Sequence, residues 1–280
     1  MHGRLARRLV GSTMTGLTYG AAALAILPLA VILAMLLVKG TGSIDWNFFT
    51  KAAVPFGEKG GGFSHAIVGT LIVVGLACAV GVPIGVATGI FLAEFGGGRL
   101  GFTVRFVADV LNGVPSIVIG IFAWTWLVKP MGHFSALAGG CALGMILVPI
   151  LARTTEEMVR LVPNSLREAA LALGYPRWRT SLVVVVRTAA AGIVTGCLVA
   201  VARVAGETAP LLFTALGNQY FSTRLAGPMA ALPLQIYVYA LGPYDEWHRQ
   251  AWAGALVLIV LVLALSLFAR AVIRAKRQHA

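Results

Sequence analysis

Arg203 and Glu207 are charged residues directly after an apolar stretch that runs from residue 188 to residue 202. They stand four positions apart, so on a continuous helix they would share one face. A helix from Arg187 to Arg203 would rise about 24 Å, which would place Arg203 well inside a membrane span. A charge at that depth costs roughly 3 kcal/mol on insertion scales and usually faces a protein interior or an aqueous path. The pair therefore predicts either a polar transport path or a structural ion pair near a helix end.

Other polar residues at the edges of apolar stretches are weaker candidates. By position alone, Arg153 is a topology anchor at the end of a stretch, with Glu156 and Glu157 one turn later. Pro115 would kink a helix, and the kink would either free polar groups to line a path or have no ligand role. The apolar stretches contain no Ser-His-Asp arrangement, metal-ligand cluster or paired carboxylates. The sequence therefore predicts neither an enzyme active site nor a metal or cofactor site in this chain.

A second motif with functional spacing lies in a basic loop, where Glu168, Ala169 and Ala170 are followed by Gly174. Ser165 and Glu168 have the spacing of a capping box, which would start a short helix. Leu166, Ala169, Ala170 and Leu173 would form one apolar face, built around two alanines that let a partner approach closely. Gly174 would end the helix in the left-handed conformation, and Pro176 would prevent its continuation. An ordinary amphipathic loop helix is the alternative.

The elements that must position these residues are membrane spans. Hydrophobic residues make up 59% of the 280 residues, and charged residues only 11%, whereas a soluble domain carries about 25% charged residues. A spanning helix needs about 20 apolar residues, and the fifth stretch reaches that length only if Arg203 and Glu207 are included. We therefore expect an all-α integral membrane protein with six transmembrane helices over the stretches free of Asp, Glu, Lys and Arg: 9–38, 65–93, 110–128, 130–152, 188–202 and 250–269.

The orientation follows from the basic residues. Fifteen of the 22 Lys and Arg residues lie in the two termini and in the loops after the second and fourth stretches, and six lie on the opposite side. Because cytoplasmic loops carry the excess of Lys and Arg, both termini and the Glu168 loop are predicted to be cytoplasmic. The predicted boundaries are an N-terminal tail 1–16, a transmembrane domain 17–270 with its loop 160–181, and a C-terminal tail 271–280.

Two negative expectations also follow from the sequence. The net charge of +12 is scattered over loops and tails, so it indicates topology and attraction to lipid headgroups, not nucleic-acid binding. No P-loop motif occurs, so energy for transport must come from another chain or an ion gradient.

The apolar segment Ala226–Leu241 is interrupted by prolines, and we expect it to be external, interfacial or re-entrant and not a seventh span.

The loop motif resembles the cytoplasmic coupling helix of ABC-importer permeases, with one departure. The family pattern usually continues to a proline soon after the glycine, but here the region reads Val-Val-Val-Val-Arg-Thr from residue 183 to 188. From about Gly61 to the last span, the chain resembles the permease subunits of high-affinity phosphate ABC importers. The motifs that carry this resemblance are Gly206-Glu207-Thr208-Ala209-Pro210-Leu211-Leu212, Pro115-Ser116-Ile117-Val118, Arg153-Thr154-Thr155-Glu156 and Leu161-Val162-Pro163-Asn164-Ser165-Leu166-Arg167-Glu168-Ala169-Ala170.

The resemblance implies a type I ABC importer permease fold and a transport subunit of the bacterial inner membrane. Its implied partners are a sister permease, two ATPase subunits that carry ATP and magnesium, an extracytoplasmic phosphate-binding protein, and phosphate itself. Arg153, Arg203 and Glu207 match family positions held to matter for phosphate passage. An arginine fork fits phosphate oxygens, and Glu207 would keep Arg203 from binding the anion too tightly.

Two other functions remain open at this stage. One is an ABC permease for another oxyanion, such as sulfate or molybdate, against which the Gly206–Leu212 motif argues. The other is an ion-coupled transporter or channel without an ATPase, against which the coupling-helix motif argues. Phosphate-selective uptake and co-purification with an ATPase would distinguish them.

Overall fold

The computed structural model describes residues 2–54, 58 and 60–278, with side chains described from residue 11 to residue 267 within those ranges. Apart from one isolated bridge between Leu216 and Met229, its regular elements in these ranges are helical. The principal helices are α1 (His2–Gly40), α2 (Trp46–Thr50), α3 (Ser64–Glu94), α4 (Arg99–Gly113), α5 (Ser116–Met131), α6 (Ala136–Arg160), α7 (Asn164–Ala172), α8 (Arg177–Ala205), α9 (Ala209–Thr214), α10 (Leu232–Leu241) and α11 (Asp245–Gln278).

Within the described residues, five helices are long and apolar enough to cross a membrane, and a bent pair brings the number of candidate spans to six. Helix α1 begins at His2 and α11 continues to Gln278, so helical backbone extends beyond both ends of the predicted transmembrane domain 17–270. The fifth span gains its length at its start, from Arg177, and not by taking in Glu207. Thr180–Val185 form a π-helical stretch there, so the helix continues where the family pattern has a proline.

The third predicted span is not one straight helix. Helices α4 and α5 are bent by 104° relative to each other. The break is at Val114 and Pro115, both in extended conformations, because the residue before a proline disfavours helical backbone. The elbow is more than the kink that Pro115 predicts.

Helices α3 and α6 form the centre of the chain through glycine contacts. Gly81, Gly85 and Gly89 are spaced by four and so lie on one face of α3. A Cβ atom added at each would lie 2.9 Å from the Leu147 side chain, 2.6 Å from Leu151 Cβ and 2.5 Å from Thr155 Cβ, respectively. The residue numbers at these contacts increase together along α3 and α6, so the two helices are parallel. Such small residues let helix backbones approach closely in a membrane, which makes α3 and α6 a tightly packed unit.

Helix α8 crosses α6 in the opposite direction. A Cβ added at Gly192 would meet Met158, and one added at Gly196 would meet Thr154. Val204, near the end of α8, belongs to the same buried cluster as Leu143 and Leu147. This register places the end of α8, including Arg203, level with the middle of α6.

The segment that leads into α10 packs against the helical core. Met229 through Gln235 are buried, and the Thr70 hydroxyl of α3 accepts a hydrogen bond from the Leu232 amide at 2.7 Å. Helix α10 has only 10 residues, too few to span a membrane. The Ala226–Leu241 segment is therefore not a seventh span.

Candidate functional site

A buried glutamate on α6 joins three arginines. Only 1% of the Glu156 side chain is exposed. Its Oε1 atom accepts a hydrogen bond from Arg105 Nε at 2.6 Å and forms a salt bridge with Arg160 Nη2 at 2.7 Å. Its Oε2 atom accepts a hydrogen bond from Arg153 Nη1 at 2.6 Å. Because charge-assisted hydrogen bonds are the strong ones, Glu156 holds these guanidinium groups in fixed positions.

The two inner arginines of this cluster connect α6 to the bent α4–α5 pair. Arg153 Nε lies 2.9 Å from Asp109 Oδ1, about one turn before the elbow. Arg105 of α4 also donates to the backbone oxygens of Leu92 and Gly96, so it closes the end of α3. Arg153 thus has carboxylate partners on α4 and on α6, and its side chain is 30% exposed. It is more than a topology anchor, because it ties the elbow to the central helix pair.

Arg203 and Glu207 do not share a helical face. Helix α8 ends at Ala205, where the Gly206 amide bonds to the Arg203 oxygen and the Glu207 amide bonds to the Val204 oxygen. The i, i+4 prediction is therefore wrong, because Gly206 ends the helix before Glu207. Neither side chain forms a salt bridge to another residue in the part of the chain that the structure describes. Arg203 is exposed and Glu207 is half-buried.

The interruption between α4 and α5 and the end of α8 lie at a similar level along α6. A Cβ added at Gly120 of α5 would lie 2.8 Å from Pro210 Cα, so α9, which follows the end of α8, packs closely against α5. The interruption, at Val114, lines an apolar cavity of about 480 Å³ together with Met145 and Pro149 from the middle of α6. Interrupted helices leave polar backbone groups that are tolerated at membrane depth where they face protein or a water-filled cavity. Arg203 stands beside this interrupted region.

The loop motif forms the short helix α7, and its C-terminal end is as predicted. Gly174 has φ +82°. Its amide bonds to the Leu171 oxygen at 2.9 Å, and the Tyr175 amide bonds to the Ala170 oxygen at 3.2 Å. These two bonds form a Schellman motif, for which glycine is the preferred residue.

The N-terminal end of α7 differs from the prediction. Pro163 occupies the N-cap position and no side chain caps the helix, so the capping box of Ser165 and Glu168 is wrong. Pro163 has ψ 141°, which keeps it outside the helix and moves the first turn to Asn164 and Ser165. Both Ser165 and Glu168 are exposed. Their side chains are therefore available to a partner and not committed to the helix start.

The residues of the predicted apolar face of α7 do not all face the same way, since one is buried in this chain and the others are exposed. Ala170 is buried in this chain, with 6% exposure, whereas Leu166 and Leu173 are 40% and 79% exposed and Ala169 is exposed as well. The sequence analysis missed two neighbours that enlarge the exposed apolar surface, Leu161 at 74% and Trp178 at 61%. Their large apolar side chains in a basic loop were the signal. Exposed apolar side chains of this kind, next to polar ones, suit a protein partner.

Arg167 is another residue that the sequence analysis missed, and its hydrogen bonds hold α7 against other helices. Arg167 donates from Nε and Nη2 to Glu94 Oε1, at 3.1 and 2.8 Å. The Ser181 hydroxyl donates to Glu94 Oε2 at 2.7 Å. The partners are 73 and 87 residues apart in sequence, so no local spacing could have revealed them.

Comparison with known proteins identifies the family of this chain. Residues 85–278 match the family model of the binding-protein-dependent transport system inner membrane component. The chain belongs to this family. It is also 50% identical, over 85% of its length and 83% of the relative, to the phosphate transport system permease protein PstA of Xylella fastidiosa strain Temecula1. It is 46% identical to the protein of the same name from Yersinia pestis, over 89% of this chain and 84% of that one.

Solved structures confirm the fold of this family member. An inward-facing MetNI methionine ABC transporter aligns with a TM-score of 0.59 at 18% identity, over 76% of this chain and 93% of that chain. An amino acid ABC transporter with histidines aligns with a TM-score of 0.52 at 17% identity, over 78% and 94%. The permease therefore has the type I ABC importer fold with multiple membrane-spanning helices. The roles of its candidate path and coupling residues stay predictions.

Proposed function

We propose that this chain is the membrane permease subunit of an ATP-driven importer of inorganic phosphate in the bacterial inner membrane. The observation that carries the proposal is the 50% identity, over 85% of the chain, to a protein named as a phosphate transport permease. The exposed apolar side chains of α7 give an ATPase a surface to contact. The sulfate or molybdate alternative has no such observation in its favour.

The assembly we propose contains a homologous sister permease, two ATPase subunits and an extracytoplasmic phosphate-binding protein. This chain would carry no cofactor, while ATP and magnesium would bind to the ATPase subunits. The basic residues predict that both termini and α7 face the cytoplasm. Docking of α7 onto the ATPase would then couple ATP hydrolysis to alternating access of the transmembrane helices.

Phosphate would pass beside Arg203, Glu207 and Arg153. Arg203 is exposed at the level of the middle of α6, with no salt-bridge partner among the described residues, and its five N–H donors suit an oxyanion. Arg153 already holds Asp109, a carboxylate that occupies the place an oxyanion would take on its Nε. Glu207, half-buried one short turn after Arg203, would weaken the hold on phosphate, because conduction needs release as well as capture.

Purification of the assembled complex tests the ATP-driven half of the proposal. Pull-down of this chain from its native membrane should recover a second permease and an ATPase, and the recovered complex should hydrolyse ATP. Recovery of a stable, transport-competent chain without an ATPase would support the ion-coupled alternative and contradict the proposal.

Arg203→Lys tests the path. Lysine keeps the positive charge but loses the planar fork, so uptake of phosphate per assembled complex should fall by about tenfold or more, the effect of roughly 1.4 kcal/mol. Arg187→Lys is the matched control, because Arg187 is exposed on the same helix and should tolerate the change. Near-normal uptake by Arg203→Lys, or a loss that only follows loss of assembly, would remove Arg203 from the path.

A further inference from the structure

We infer that Arg167 is a positioning residue that clamps the coupling helix α7 to α3, α6 and α8, so that movement of a docked ATPase reaches the helices beside Arg203. The inference rests on the proposed function, since it needs a partner that docks on α7. The clamp consists of Arg167, Glu94 and Ser181.

Arg167 contacts three separate parts of the chain. Its Nε and Nη2 atoms donate to Glu94 at the last position of α3. Nη2 also donates to the Val159 oxygen at 3.0 Å, near the end of α6, and Nη1 donates to the Val162 oxygen and to Asn164 Oδ1. One side chain on the coupling helix is thus bonded to the final residues of both central helices.

Glu94 closes the clamp on the other side. Its second oxygen accepts the Ser181 hydroxyl, which belongs to the first turns of α8. The Glu94 side chain is 9% exposed, Arg167 is 20% exposed, and Ser181 is 3% exposed. Partial exclusion of water strengthens such charge-assisted bonds, and loss of Arg167 would leave a largely buried carboxylate without its cation.

The helices that the clamp holds are suited to transmit a displacement. Glycine packing makes α3 and α6 one unit, and α8 packs against α6 through Gly192 and Gly196. Helix α7 itself has only nine residues, bounded by Pro163 and the Gly174 turn. Without the clamp, α7 would be joined to the spans by these two bends and by the packing of buried Ala170, and the bends could absorb its movement. With the clamp, its movement must carry the ends of α3, α6 and α8.

The number of phosphate ions transported per ATP hydrolysed separates transmission from simple stability. The measurement uses the complete complex, assembled with each variant and reconstituted in vesicles with its binding protein. Arg167→Gln should keep ATP hydrolysis but lower this ratio by about fivefold or more, the lower end of usual coupling between two sites. Ser181→Ala, which leaves the ion pair intact, should lower the ratio by a smaller factor, and it keeps the test available if Arg167→Gln does not assemble.

Two controls make the experiment specific. Arg99→Gln removes an exposed arginine on α4 that forms no salt bridge with any described residue, and it should leave the ratio unchanged. If Arg167 acts through Glu94, the double variant Arg167→Gln/Glu94→Gln should lower the ratio no further than either single variant, because residues of one network are not additive.

An unchanged ratio in Arg167→Gln and in Ser181→Ala would overturn the inference, even if uptake and ATP hydrolysis both fell in proportion to assembly. That outcome would leave Arg167 as a structural residue only. It differs from failure of the proposed function, in which the unmodified complex itself would show no ATP-driven phosphate uptake.

Discussion

Glu156→Gln is the substitution that most directly tests the buried charge cluster. The carboxylate accepts charge-assisted hydrogen bonds of 2.6 Å from Arg105 and 2.6 Å from Arg153, and it forms a salt bridge of 2.7 Å with Arg160. The amide has nearly the same size, but it carries no charge and its nitrogen cannot accept a bond from an arginine. Each bond to a charged group contributes about 1.5–3 kcal/mol, against about 0.5–1.5 kcal/mol for a neutral one.

The expected cost follows from these values and from exposure. One hydrogen bond weakened by about 1 kcal/mol, one hydrogen bond lost, and a salt bridge of about 0–1 kcal/mol removed amount to roughly 3–5 kcal/mol. The three arginine side chains are 23%, 30% and 55% exposed and can regain water, so we expect the lower part of that range, about 3–4 kcal/mol. The free energy of unfolding of the purified permease in mixed micelles, titrated with denaturing detergent, measures the cost.

Glu157→Gln is the matched control for this substitution. Glu157 is the next residue on the same helix, but it is exposed and forms no salt bridge within the described ranges. Its substitution should change the free energy of unfolding by less than about 0.5 kcal/mol, as is usual at such surface sites. Equal effects of the two substitutions would refute the argument that Glu156 is the centre of the cluster.

Three further predictions concern packing, coupling and topology. Gly85→Leu should abolish accumulation of folded permease, because a Cβ alone would lie 2.6 Å from Leu151 Cβ, while Gly75→Leu on the same helix has open space and should be tolerated. Gly174→Val should reduce recovery of the ATPase in pull-downs because a β-branched residue resists φ +82°, and Gly174→Asn, which tolerates that conformation, should largely retain ATPase recovery. Cysteine introduced at exposed Ser165 should react only from the cytoplasm, and cysteine at exposed Thr223 only from outside; external labelling at Ser165 would contradict the orientation.

Composition and local motifs were sufficient for much of the architecture. Five of the charge-free stretches correspond to single long helices because a membrane span is defined by its own apolar length. Gly174 was predicted to be left-handed because glycine followed by proline is a local signal. Helix α7 was predicted from the same kind of local signal. The capping box was wrong because Pro163 itself occupies the N-cap.

The remaining features depend on contacts between distant residues. Pro115 predicted a kink but not a 104° elbow, whose angle depends on how α4 and α5 pack on α6. The end of α8 at Ala205 could have been anticipated from Gly206 and the nearby Pro210, which together disfavour a continuing helix. The clamp of Arg167 to Glu94 joins residues 73 positions apart, a distance at which sequence spacing has no predictive value.

Uptake of labelled phosphate by vesicles that contain the reconstituted complex tests the central claim most directly. Vesicles supplied with the binding protein and with ATP on the side of the ATPase should accumulate phosphate, and excess sulfate or molybdate should not compete. Accumulation that ignores ATP, or that sulfate or molybdate suppresses as effectively as unlabelled phosphate, would contradict the account of this chain as the permease of an ATP-driven phosphate importer.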